Sequence, residues 1–105
     1  MRFRFGDWIL DTGQRELIGP DNVALPISKG EFRVLSAFLE RPKIALTRSQ
    51  LLDLTKHHDG DMFFRSIDNH VSRLRKKIEP DLQNPRYIRT VWRDGYYFAM
   101  DVQPI

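Results

Sequence analysis

The sequence predicts an α+β domain ordered as sheet, three helices and hairpin, and three observations carry that order. The first 27 residues hold short runs punctuated by turns, the middle switches to helical spacing, and the last segment returns to aromatic and β-branched runs. With 105 residues, the chain is the size of one domain folding on a single core.

The N-terminal sheet is read from alternation and turns. Arg2-Phe3-Arg4-Phe5 alternates polar and apolar residues, and Trp8-Ile9-Leu10 follows a Gly6-Asp7 turn. Thr12-Gly13 and Gly19-Pro20-Asp21-Asn22 are further turn signals, so an antiparallel sheet of about four strands is expected.

Ser28 lies three residues before Glu31, the capping-box spacing that satisfies free amides at a helix start. Phe32, Leu35, Phe38 and Leu39 then share one helical face until Pro42, which predicts a first helix over Lys29 to Arg41. Thr47 and Gln50 repeat the capping spacing ahead of Leu51, Leu52 and Leu54, a short second helix. Lys56 to Phe64 is polar, contains Gly60 and reads as a loop.

Arg65 to Glu79 contains neither Gly nor Pro and is followed by Pro80, which predicts the third helix. Ile67, Val71, Leu74 and Ile78 form a stripe within roughly 40° of one direction at about 100° per residue. Arg65, Asn69, Ser72, Arg73 and Lys76 project to the other side. One face is built for a core and the opposite face for a polar, anionic partner. Tyr87 to Val91 and Tyr96 to Ala99 then read as strands around a Trp92-Arg93-Asp94-Gly95 turn, with Gly95 free to adopt a positive φ.

Charge follows the same division. Residues 65–105 hold eight Lys/Arg against five Asp/Glu, while residues 1–27 hold three against four. A localised positive excess suits a nucleic acid, and it also occurs in proteins that bind no polyanion. Cysteine is absent, which excludes disulfides and thiolate metal sites. The apolar stretches are too short to cross a bilayer and the N-terminus lacks a signal peptide's apolar core, so a cytoplasmic protein without a membrane partner is expected.

The basic, amide-bearing face of the third helix suits the DNA major groove. Lys and Arg neutralise phosphates, Asn can pair with adenine and Arg with guanine. A solvated face is the alternative reading of the same pattern. Trp92 and Arg93 at the hairpin tip could meet backbone or minor groove, or Trp92 could pack on the core. His70 sits between the apolar and basic sides of its helix, equally suited to packing or to DNA. His57-His58-Asp59 with Asp61 lacks the i, i+4 spacing of a helical metal site, and no acid–base–nucleophile constellation emerges. Neither a cofactor, a metal nor an enzymatic activity is expected.

The runs Arg65-Ser66-Ile67-Asp68-Asn69-His70-Val71-Ser72-Arg73-Leu74-Arg75-Lys76-Lys77-Ile78-Glu79 and Tyr87-Ile88-Arg89-Thr90-Val91-Trp92-Arg93-Asp94-Gly95-Tyr96-Tyr97-Phe98 resemble, in that order, the recognition helix and wing of OmpR/PhoB-type response-regulator effector domains. Leu25 through Leu39 and Thr47-Arg48-Ser49-Gln50-Leu51-Leu52 resemble the family's first helix and the start of its second, so the likeness covers nearly the whole chain. It implies a winged helix-turn-helix, with the third helix in the major groove and the wing at the minor groove or backbone. By that resemblance, Arg48, Lys56, Arg65 and Arg75 would hold phosphates, with Ser72 as a lesser contact. Asn69 and Arg73 would face base edges beside His70, with Lys76 on the same face. Thr90, Trp92 and Arg93 would act from the wing, and Asp68 would orient a neighbouring Arg. Trp92 and Arg93 depart from the Arg and Gly common in relatives.

The resemblance further implies double-stranded DNA carrying direct repeats as partner, with a monomer in isolation and a tandem dimer on DNA. It places an RNA polymerase contact at loop 56–64 and a cognate sensor kinase acting only through a receiver domain. Because Met1 leads directly into the first strand, an excised C-terminal domain is expected. The competing reading keeps the fold as a protein-interaction module that uses Met62, Phe63 and Phe64.

Overall fold

The computed structural model describes residues 1–55, 64–91 and 94–105. Its first four strands are β1 (Arg2–Phe5), β2 (Trp8–Asp11), β3 (Glu16–Ile18) and β4 (Ala24–Pro26). These are the strands expected from the turn signals, and each pairs antiparallel with the next. The β1–β2 turn places Gly6 at φ +57, where a Cβ would also stand 2.6 Å from the Tyr87 ring. Backbone conformation and close approach both demand glycine there. A two-residue strand, β8 (Gln103–Pro104), adds to the free side of β1, giving the sheet a fifth member in the order β4-β3-β2-β1-β8.

Helix α1 (Lys29–Glu40) starts as its spacing predicts. The Ser28 hydroxyl accepts from the Glu31 amide at 3.1 Å, and the Glu31 carboxylate accepts from the Ser28 amide at 2.9 Å. Ahead of α2 (Arg48–Thr55), the Gln50 amide donates to Thr47 Oγ1 at 3.0 Å and the Thr47 amide to Gln50 Oε1 at 2.8 Å. α3 (Phe64–Ile78) buries Ile67, Val71, Leu74 and Ile78, the stripe read from the sequence.

The C-terminal hairpin consists of β6 (Ile88–Val91) and β7 (Gly95–Phe98). A short strand between α1 and α2, β5 (Ala45–Thr47), extends it to a three-stranded sheet in the order β5-β7-β6. This pairing corrects the reading of Gly95. Its φ is not positive; a Cβ at Gly95 would instead collide with the Leu46 carbonyl of β5. The glycine serves strand approach.

One apolar core joins the two sheets to the helices. Phe5 packs edge-on to Tyr87 and Phe98, while Phe38 of α1 stacks on Phe98. All four side chains are buried, so the N-terminal sheet, α1 and the hairpin share a single aromatic centre.

Candidate nucleic-acid interface

The amphipathic division of α3 sets the site. With its apolar stripe in the core, the helix turns Arg65, Asn69, Ser72, Arg73 and Lys76 outward, and all five are exposed. Among the described residues, Arg65, Arg73 and Lys76 form no ion pair. The face thus carries three uncompensated cations around two short hydrogen-bonding side chains.

The other basic residues of α3 are engaged internally. The Lys77 ammonium donates to the buried Glu31 carboxylate at 2.7 Å, tying α3 to the first turn of α1. Despite Glu31's burial, Lys77 and the Ser28 bonds hold its carboxyl below the usual glutamate range. His70 packs over Gly30, where any Cβ would overlap the imidazole. Its Nδ1 is buried without a partner among the described residues. Burial, reinforced by Arg73 and opposed by Glu31, holds His70 below the ordinary histidine pKa, so it is neutral at pH 7. The ring lies at the margin of the exposed face, on the α1 side.

A polar network joins α2, α3 and the hairpin around Tyr96. The Arg48 guanidinium donates to Asp68 at 2.8 Å and to Asp94 at 3.0 Å, and lies 5.1 Å from the Tyr96 ring centre. The Tyr96 hydroxyl donates to the same Asp68 oxygen. Asp68 therefore orients Arg48, as the motif implied. On the other side, Arg75 lies 5.4 Å from the Tyr96 ring centre and donates to the Ile88 carbonyl at 2.7 Å and to Thr90 Oγ1 at 2.9 Å. The ring sits between two cations. Its hydroxyl titrates above the ordinary tyrosine value, first through burial and then through the Asp68 bond.

Of the anticipated residues, Arg65, Asn69, Ser72, Arg73 and Lys76 come together on one exposed face, with Thr90 exposed on β6. Arg48 and Arg75 lie beside that face with donors committed to neighbours. Lys56, Trp92, Arg93, the His57-His58-Asp59-Asp61 group and Met62 and Phe63 fall outside the described residues, as does the Phe64 side chain. Sequence reasoning missed Tyr96, Asp94 and Glu79. Tyr96 follows Gly95 on an aromatic strand, a weak signal, whereas Asp94 meets Arg48 far away in sequence and Glu79 meets backbone amides across an irregular segment, so neither gives one.

A bundle that presents an exposed basic helix beside a three-stranded hairpin sheet defines the winged-helix class. The family described as transcriptional regulatory protein, C terminal, matches residues 22–98. The regulatory protein VirG of Rhizobium rhizogenes is 41% identical over 100 residues, which cover 95% of this chain and 42% of VirG. Among solved structures, the response regulator DrrB, a Thermotoga maritima OmpR/PhoB homolog, superposes with a TM-score of 0.79 at 33% identity, over 93% of this chain and 44% of DrrB. The RstA DNA-binding domain of Klebsiella pneumoniae, in complex with the RstA box, gives 0.77 at 28% identity, over 93% and 96% of the two chains. The chain belongs to this family, the DNA-binding output domains of OmpR/PhoB-type response regulators. It spans about two fifths of the length of the VirG relative (42%). No helix among the described residues is long and apolar enough to cross a membrane.

Proposed function

We propose that the chain recognises a specific double-stranded DNA sequence by laying the exposed face of α3 in the major groove. The observation that carries this reading is the outward cluster of Arg65, Asn69, Ser72, Arg73 and Lys76 without a described carboxylate partner. Asn69 and Arg73 can pair with base edges, while Arg65 and Lys76 neutralise phosphates beside them. Thr90 supplies a backbone contact from β6, and Trp92 and Arg93 are the residues expected to meet the minor groove or backbone. Arg48, Lys56 and Arg75 support the phosphate track. His70 borders the face and contributes through packing more than through charge.

The output is binding, and turnover has no part in it. Direct repeats occupied by two copies in tandem are the expected target, and loop 56–64 is the expected RNA polymerase contact. Phosphorylation by a sensor kinase would reach the domain through a receiver domain, and the working compartment is the cytoplasm, where bacterial DNA lies.

Selection of bound duplexes from a randomised pool tests this function. Enrichment of a short, directly repeated motif is expected. Arg73→Ala should then reduce discrimination by about 1–3 kcal/mol at one position, whereas the distant Glu16→Ala should change nothing. An Arg73 variant that keeps the parent's affinity and its full discrimination at every position would remove the assigned reading surface.

A further inference from the structure

The end of α3 grips the root of the wing from both sides of one peptide strand. Glu79, one residue beyond α3 and only 9% exposed, accepts from three consecutive backbone amides. Its Oε1 receives the Arg86 amide at 2.6 Å and the Tyr87 amide at 3.1 Å, while Oε2 receives the Tyr87 amide at 3.1 Å and the Ile88 amide at 2.9 Å. Four residues earlier and one helical turn away, Arg75 donates Nε and Nη2 to the Ile88 carbonyl at 2.9 and 2.7 Å. Ile88 thus has its N–H held by an anion and its C=O held by a cation, both carried by the same helical segment.

We infer that Arg75 and Glu79 are positioning residues that set the angle between the third helix and the wing. The inference rests on the DNA reading for its consequence, and its geometry stands apart from it. From Ile88 to Val91, β6 covers about 10 Å at about 3.3 Å per residue, so a tilt of about 10° at Ile88 moves its far end by about 2 Å. Base and backbone recognition tolerate roughly 0.5 Å, so the root must be fixed more tightly than one polar contact allows. Charge-assisted bonds to the two peptide units that flank the Ile88 Cα supply that fixation. The buried Tyr87 ring, whose hydroxyl accepts from the Asp7 amide at 3.3 Å, holds the neighbouring residue against the N-terminal sheet.

A positioning role separates from a phosphate contact by substitution chemistry. Arg75→Lys keeps the positive charge and loses the fork that reaches the Ile88 carbonyl and Thr90 together. Glu79→Gln keeps the shape and turns one acceptor into a donor facing backbone amides. Both variants should be compared with the parent and with Val34→Ala, which lowers stability from the core of α1 without touching β6, at a temperature where all are folded by circular dichroism.

Residual dipolar couplings should show the β6–β7 hairpin reoriented against α3 in Arg75→Lys and Glu79→Gln, and unmoved in Val34→Ala. Duplex selection should show preferences on the wing side flattening in the same two variants while preferences under α3 persist. An unchanged hairpin orientation, or full retention of binding by Arg75→Lys, would overturn the inference. Reoriented hairpins in a protein whose parent enriches no motif would uphold the clamp and overturn the DNA reading alone.

Discussion

Arg48 and Asp68 join the first residue of α2 to α3 through a 2.8 Å charge-assisted hydrogen bond, and the same guanidinium reaches Asp94 in the wing turn. Both carboxylates raise the basicity of Arg48, a side chain already charged at ordinary pH. Arg48→Ala and Asp68→Ala should each destabilise the domain by about 0.5–1 kcal/mol, because the pair is partly exposed, Arg48 keeps Asp94 and Asp68 keeps the Tyr96 hydroxyl. Urea unfolding of the double variant should cost clearly less than the sum of the two single changes. Additive costs would mean that the contact carries no coupling.

The same pairing alters what Arg48 offers DNA. Each α3 cation that neutralises a phosphate contributes about 0.9 to the slope of log affinity against log salt. Arg65→Ala or Lys76→Ala should lower that slope by about one, whereas Arg48→Ala should lower it by less, since Asp68 and Asp94 already compensate its charge. Duplex titrations across a salt series read the difference directly.

Two glycines should respond differently to a methyl group. Gly95 faces the Leu46 carbonyl, a backbone atom fixed in a strand pair, so Gly95→Ala must shift β5 or β7 and should cost more than about 2 kcal/mol. Gly30 faces the imidazole of His70, a side chain that can swing away. Gly30→Ala should be milder, and combining it with His70→Ala should recover much of the loss. Thermal melts of the three variants check the order.

His70 makes stability depend on pH above the carboxylate range. Its folded-state pKa is lowered by burial and by Arg73, with Glu31 opposing, so the unfolded chain binds the proton more readily than the native one. The stabilising contribution of neutral His70 is present above the ordinary value of 6.5 and declines as pH falls below it toward the folded pKa. Unfolding free energy should therefore decrease between pH 8 and pH 5.5 in the parent and flatten in His70→Gln. Glu31 adds a second decline at lower pH, because its own carboxyl is held below 4.5.

What the sequence made legible was local. Ser28 with Glu31 and Thr47 with Gln50 announce helix starts because a capping box closes within three residues. The Ile67-Val71-Leu74-Ile78 stripe announces both the core and its opposite face, since burying one side of a helix dictates what the other side presents. β5 and β8 escaped notice because three and two residues carry no periodicity, and each exists only through a distant partner. The donors of Arg75 and the acceptors of Glu79 were hidden for the same reason: Ile88 lies 13 and 9 residues further along the chain. An arginine's exposed charge can be guessed from its helical angle, but whether a carbonyl already holds its guanidinium depends on tertiary contacts.

The fifth strand of the N-terminal sheet brings the two chain ends together. β8 pairs with β1, and the Ile105 amide donates to the Arg2 carbonyl at 2.9 Å. A few residues of linker could bridge that gap and convert the fold into a closed loop, and a new opening at the exposed Pro20-Asp21-Asn22 turn would leave every strand neighbour in place. In such a permuted molecule the helices, the clamp on Ile88 and the outward face of α3 would assemble from a chain read in a different order. The architecture is a matter of which segments touch, and the order in which the chain visits them is incidental to it.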